Sequence, residues 1–210
     1  MNKRTIALIL NIAAFVCGSI GIIFRIVRTF DDFFLYYTQI SNVVAVISSA
    51  IYIAGFRAGD GKFRIFMTYS RYLGACMLTM TFLVVVCIFI PFGTEATTNR
   101  LLGSVNGMMH HIVCPVISVV SFIFFERGAR EKGAVLIPLG ATAVYAAAVY
   151  TLNFMRLAKA PYPFFEVYDH PVWELVLWFF GLMGLVTGIA VTVRLLNLKF
   201  GYNKNEEASQ

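Results

Sequence analysis

The sequence predicts an all-α integral membrane bundle of six transmembrane helices, and three observations carry that expectation. Hydrophobic residues make up 59% of the 210-residue chain and charged ones 13%, where a soluble domain needs about 25% charged residues to face water. Mean hydropathy is +0.77. The apolar residues fall in six stretches, at 5–27, 33–55, 66–92, 102–125, 134–154 and 172–195, each near the roughly 20 residues that cross a hydrocarbon core. The breaks between them carry turn and charge signals.

The first stretch follows Met1, Asn2, Lys3 and Arg4. It exceeds the roughly 7–15 residues of a signal-peptide core and precedes no small-x-small cleavage site, so a retained helix is expected. The second ends at Ala58, Gly59, Asp60 and Gly61, and the third at Gly93, Thr94 and Glu95. The fourth stops at the charged run 126–133, and the fifth leads into the longest connection, 156–171. No internal repeat interrupts the pattern. The expectation is one domain, 1–202, with a polar, disordered tail at 203–210.

Basic residues set the orientation. With the N-terminus inside, Lys3, Arg4, Arg57, Lys62, Arg64, Arg71, Arg127, Arg130, Lys132, Arg194, Lys199 and Lys204 are cytoplasmic, and Arg25, Arg28, Arg100, Arg156 and Lys159 are outside. Both termini are therefore expected in the cytoplasm. In lipid the helices must associate through small residues and interhelical hydrogen bonds, for which Gly18, Gly21, Gly140, Ala141 and Ala146 to Ala148 offer faces.

Several function classes drop out. The net charge of +6 is scattered between apolar runs, whereas a nucleic-acid binder gathers its basic residues on one face. Cys17, Cys76, Cys87 and Cys114 all lie in apolar segments without CxxC spacing, so neither disulfides nor zinc are expected. Adjacent His110 and His111 point apart and do not suit one haem iron. No GxSxG or HExxH occurs, no carboxylate lies mid-span for proton coupling, and paired Gly/Pro helix breaks are absent. No cofactor or metal is expected.

Polar groups inside spans are costly and so attract attention. In the second span Thr38, Ser41 and Asn42 share one helical face, followed by Ser48 and Ser49. Such groups serve either as helix-to-helix glue, bonding to carbonyls, or as a site. In the fourth span Asn106 and His110 share a face, His111 points about 100° away, and Pro115 leaves the carbonyl of residue 111 free or kinks the helix. By helical rise, Thr38 is expected roughly 8 Å and His110 roughly 12 Å below the outer surface. Tyr150 and Asn153, at the outward end of the fifth span, lie in the same leaflet. A hydroxyl and an imidazole at comparable depth can form a nucleophile–base pair if their helices are neighbours. The last loop carries Tyr162, Pro163, Phe164, Phe165, Glu166, Asp169 and His170. It reads as an interfacial aromatic anchor, or as a lid over a cavity that Glu174 also faces.

Six spans, a threonine in the aromatic segment Tyr36-Tyr37-Thr38, Asn106 four residues before His110, Pro115 five residues after it, and Tyr162-Pro163-Phe164 with Glu166 resemble the androgen-induced-gene family, which includes the androgen-dependent regulators of tissue-factor-pathway inhibitor. The order and spacing hold over most of the chain, while each motif alone is weak. His111 departs from the family, whose animal members carry threonine there. The resemblance implies a multipass threonine hydrolase acting on fatty acid esters of hydroxy fatty acids or related lipid esters, with Thr38 as nucleophile and His110 as base. The short, loop-poor chain resembles bacterial members, implying a bacterial cytoplasmic membrane. Residues Ser41, Asn42, Asn106, His111, Tyr150, Asn153, Tyr162 and Glu166 are candidates for substrate or oxyanion contacts. The alternative is a non-catalytic lipid-binding or small-molecule transport protein with the same polar layer as cavity lining.

Overall fold

The computed structural model describes residues 2–28 and 30–202, with Arg100 described without its side chain. The tail at 203–210 lies outside the described residues. Six helices are long and apolar enough to cross a membrane: α1 (Lys3–Arg28), α2 (Tyr37–Ala54), α3 (Lys62–Phe92), then, after the short α4 (Glu95–Leu102), α5 (Val105–Phe125), α6 (Lys132–Phe154) and α7 (Val172–Phe200). No strand occurs among the described residues. Short 3-10 turns at Phe33–Leu35 and Pro163–Phe165 lie in the loops before α2 and α7.

The boundaries follow local chemistry. Thr94 caps α4 by accepting from the Thr97 N–H, and Ser104 caps α5 by accepting from the Gly107 N–H, each satisfying one of the donors a helix start leaves open. Two spans contain a π turn, Val85–Phe89 in α3 and Met109–Val113 in α5. Each ends two residues before a proline, Pro91 or Pro115. Proline cannot donate and crowds the carbonyl four residues back. The residue before it, Ile90 or Cys114, donates to the carbonyl five back, Val85 or Met109. Pro115 thus widens the helix at the two histidines, a device that recurs at functional sites.

Helix α1 packs on α2 and α5, α2 on α3, and α7 on α5 and α6, while α3 runs inside and touches α2, α5, α6 and α7. The Tyr72 hydroxyl fixes α3 to α7 by donating to the Ala190 carbonyl at 2.7 Å. Small residues allow close approach on only some of the expected faces. A Cβ on Gly18 would meet Val46, and one on Gly74 would meet Ser48 and Ala45. Gly140 meets nothing within 4 Å, and Ala147 and Ala148 are exposed. That side of α6 faces outward with Val144, as do Val27 and Phe180 on their helices. So many exposed large apolar side chains suit a hydrocarbon surround and not water.

Candidate functional site

Helix α2 begins one residue after Tyr36, whose backbone is extended. Thr38 therefore stands in the first helical turn instead of roughly 8 Å along the span, because 33–35 form a 3-10 turn before it. The first turn of a helix has N–H groups without helical partners. The Tyr162 phenol oxygen faces the N–H groups of Tyr37 and Thr38 and the Thr38 hydroxyl. Burial pushes the Tyr162 pKa up to about 12, against the opposing pull of these donors, so the phenol stays protonated at neutral pH.

Thr38 lines a small, mainly apolar cavity with Thr81, Tyr162, Phe164, Phe165 and Leu182 among its walls. Its free volume is about 40 Å³, room for a few waters at most. The roof is the loop before α7. There Tyr162 stacks on Phe164 at 5.3 Å and on Phe89 at 5.9 Å, and Phe164 stacks on Trp178 at 5.3 Å. Asn153 pins this strap: its Nδ2 donates to Glu166 Oε2 at 2.9 Å, and its Oδ1 accepts from the Val167 N–H at 2.8 Å. The Tyr150 hydroxyl contacts the Phe164 and Leu175 carbonyls, each at 3.3 Å. The aromatic loop thus covers a cavity, beyond any anchoring role. Its carboxylates do not line that cavity. Glu166 is held by Asn153, and Glu174 pairs with His170 at 3.1 Å, which corrects the expectation for Glu174.

The polar face of α2 is present as expected and is tied to α5. The Thr38 carbonyl accepts from Ser41 Oγ at 2.9 Å and from Asn42 Nδ2 at 2.8 Å. Ser41 Oγ also meets Thr81 Oγ1 at 2.9 Å. Asn42 Nδ2 donates a second bond, to the His110 carbonyl at 3.2 Å. The Thr38 and His110 carbonyl oxygens therefore lie within about 6 Å of each other. The His110 side chain points elsewhere. Its ring is fully buried on α1, so close to Gly21 that a Cβ there would lie 2.3 Å from Nε2. Its ring nitrogens make no hydrogen bond of good geometry, and the Gly18 carbonyl on α1 is the backbone acceptor they face. Such a group costs about 1–3 kcal/mol when left unpaired and invites a functional explanation. By contrast, His111 Nδ1 bonds the Leu101 carbonyl at 2.9 Å and ties α5 to α4. Asn106 is half-buried with an unpartnered Oδ1 and does not line the Thr38 cavity.

A second polar cluster was not singled out from the sequence. Arg71, counted above among the cytoplasmic basic residues, lies fully buried nine residues into α3, about 14 Å from its start. Its Nε lies 3.1 Å from Glu126 Oε2, and one terminal nitrogen donates to Glu126 Oε1 at 3.0 Å. The remaining donors reach Ser48, Ser49 and Ser118 at 3.0–3.3 Å. Asn11 and Ser121 donate to Glu126 Oε1 at 2.9 and 2.7 Å. All five guanidinium N–H groups are thus engaged. The signal was available in an arginine and an asparagine inside apolar stretches, each of which needs a partner in lipid.

Among the described residues no three His, Cys, Asp or Glu side chains converge to hold a metal. No protein-family model, curated protein or solved structure matches the chain.

Proposed function

We propose that the protein is an intramembrane hydrolase of lipid esters, with Thr38 as nucleophile and His110 as its base. It is a multipass membrane protein, which we place in a bacterial cytoplasmic membrane with both termini inside. The observation that carries the reading is the placement of Thr38 in the first turn of α2, in an apolar cavity roofed by aromatic side chains. There its hydroxyl stands beside backbone N–H groups that can receive an oxyanion. The link from Asn42 to both Thr38 and His110 supports a working pair, and the resemblance to the androgen-induced-gene family points to the same two residues. We assign the base to His110 and not to His111 because the His111 ring is tied through the Leu101 carbonyl to α4.

In the proposed reaction the ester carbonyl enters beneath the strap and displaces the Tyr162 phenol from the α2 N-terminus. The His110 ring turns from Gly21 toward Thr38 and accepts the Thr38 Oγ proton as Oγ bonds to the carbonyl carbon. The N–H groups of Tyr37 and Thr38 bind the oxyanion. His110 returns the proton to the departing alcohol oxygen as the ester C–O bond breaks, leaving an acyl–Thr38 ester. Water then attacks that ester, giving its proton to His110. The acid departs and Thr38 Oγ regains a proton. A bulky substrate requires the strap to lift, since the closed cavity holds only small molecules.

One observation favours a second reading, a lipid-binding or small-molecule transport protein: the His110 ring rests on α1 and not on Thr38. Turnover separates the two. Purified protein in lipid vesicles should hydrolyse a fatty acid ester of a hydroxy fatty acid, with Thr38→Ala and His110→Ala each slower by about 10²- to 10⁴-fold and His111→Ala much less affected. Binding of the ester without hydrolysis by folded wild type would favour the second reading.

A further inference from the structure

The opposite end of the bundle, about 24 Å away along α2, holds a larger pocket. It is about 230 Å³ and is lined by Arg4, Arg57, Arg64 and Arg127 together with Asp60 and Glu126. The charges there do not cancel. Glu126 is engaged by buried Arg71, and Asp60 Oδ1 receives Arg127 at 2.6 Å. No carboxylate among the described residues pairs with Arg4, Arg57 or Arg64.

Two of these three arginines are held in place. Arg4 donates to the Phe56 carbonyl at 2.8 Å and lies over the Phe56 ring, and Arg64 donates to the Ala58 carbonyl. Both anchors use one N–H and lie in the turn between α2 and α3, leaving other N–H groups of each guanidinium uncommitted. The Arg64 Nε is buried and has no hydrogen-bond partner. Arg57, on the same turn, is exposed and forms no ion pair or side-chain hydrogen bond among the described residues. Basic residues at a membrane surface ordinarily extend into water or snorkel. A half-buried arginine fixed by one N–H, with another donor left unpaired in a concave site, is instead preorganised for a planar, multidentate anion.

We infer that this pocket binds a phosphate group, with Arg4, Arg57 and Arg64 as its ligands. The group belongs either to the headgroup of an anionic phospholipid or to a soluble phosphate ester. The site is independent of the Thr38 cavity and of the reaction proposed there.

The test uses the full chain in a non-ionic detergent at constant ionic strength. Thermal unfolding is followed while titrating inorganic phosphate, short-chain phosphatidylglycerol, or short-chain phosphatidylcholine as the zwitterionic control. A ligand bound only by the folded state raises the midpoint in a saturable way. The expected result is such a rise with phosphate or phosphatidylglycerol, with apparent affinity weakened about tenfold in Arg57→Gln and in Arg64→Gln. If phosphate alone suffices, the source is soluble; if only phosphatidylglycerol acts, the lipid headgroup is the ligand. Arg57 is exposed and unpaired, so Arg57→Gln keeps the test valid even if Arg64→Gln does not fold. No saturable rise with either anion, an equal rise with phosphatidylcholine, or an unchanged affinity in Arg57→Gln would overturn the proposal.

Discussion

At the scale of single residues, the buried charges matter most to stability. Arg71 and Glu126 are 0% and 2% exposed, and the pair is tolerated because every guanidinium donor is engaged. Removing one partner leaves the other charge buried. Arg71→Met should therefore destabilise the protein by about 3–5 kcal/mol, measured as reversible unfolding in mixed micelles. The double variant Arg71→Met with Glu126→Gln should recover most of that loss, since neither charge remains. A single variant as stable as wild type would contradict the account. Thr38, His110 and Asn42 were legible in the sequence as polar residues where lipid is expected. The partner of Arg71 was not, because Glu126 reads as a polar stop after the fourth span and only the packing of α3 against α5 brings the two together.

Elements were read from apolar run length more securely than from their ends. The third span starts at Lys62, before the expected residue 66, and the last continues to Phe200, beyond 195. Charged side chains at helix ends extend a helix past its apolar stretch without entering lipid. The start of α2 moved the other way, and that shift places Thr38 at the helix N-terminus, among N–H groups that lack helical partners. The two π turns were not foreseen, although the prolines that cause them are plain in the sequence. The strap over the cavity depends on Asn153, which holds both a side chain and a backbone N–H of the loop. Asn153→Ala should loosen it by about 1–3 kcal/mol. Hydrogen exchange over 162–168 should then accelerate by about tenfold or more, with little change in α3. Unchanged exchange there would show that aromatic stacking alone holds the roof.

For the whole molecule, the described ends of the chain meet at one end of the bundle, where Lys3 Nζ donates to the Phe200 carbonyl at 3.1 Å, and the expected excess of basic residues at that end survives the transfer of Arg71 to the interior. A C-terminal reporter active only in the cytoplasm should therefore be active, and one active only outside should be silent. The reverse pattern would invert the orientation. Hydropathy and charge made the six-helix architecture readable because lipid imposes both the length and the polarity of each span. The helix neighbours were not readable, since in lipid they are set by shape and by scattered polar contacts. The direction of the His110 ring belongs to that second category. The most direct measurement is to treat the folded protein with a fluorophosphonate and locate the adduct by peptide mass spectrometry. A single adduct on Thr38 is expected, absent in Thr38→Ala and strongly slowed in His110→Ala. An adduct on another residue, or none on well-folded wild type that binds lipid esters, would contradict it.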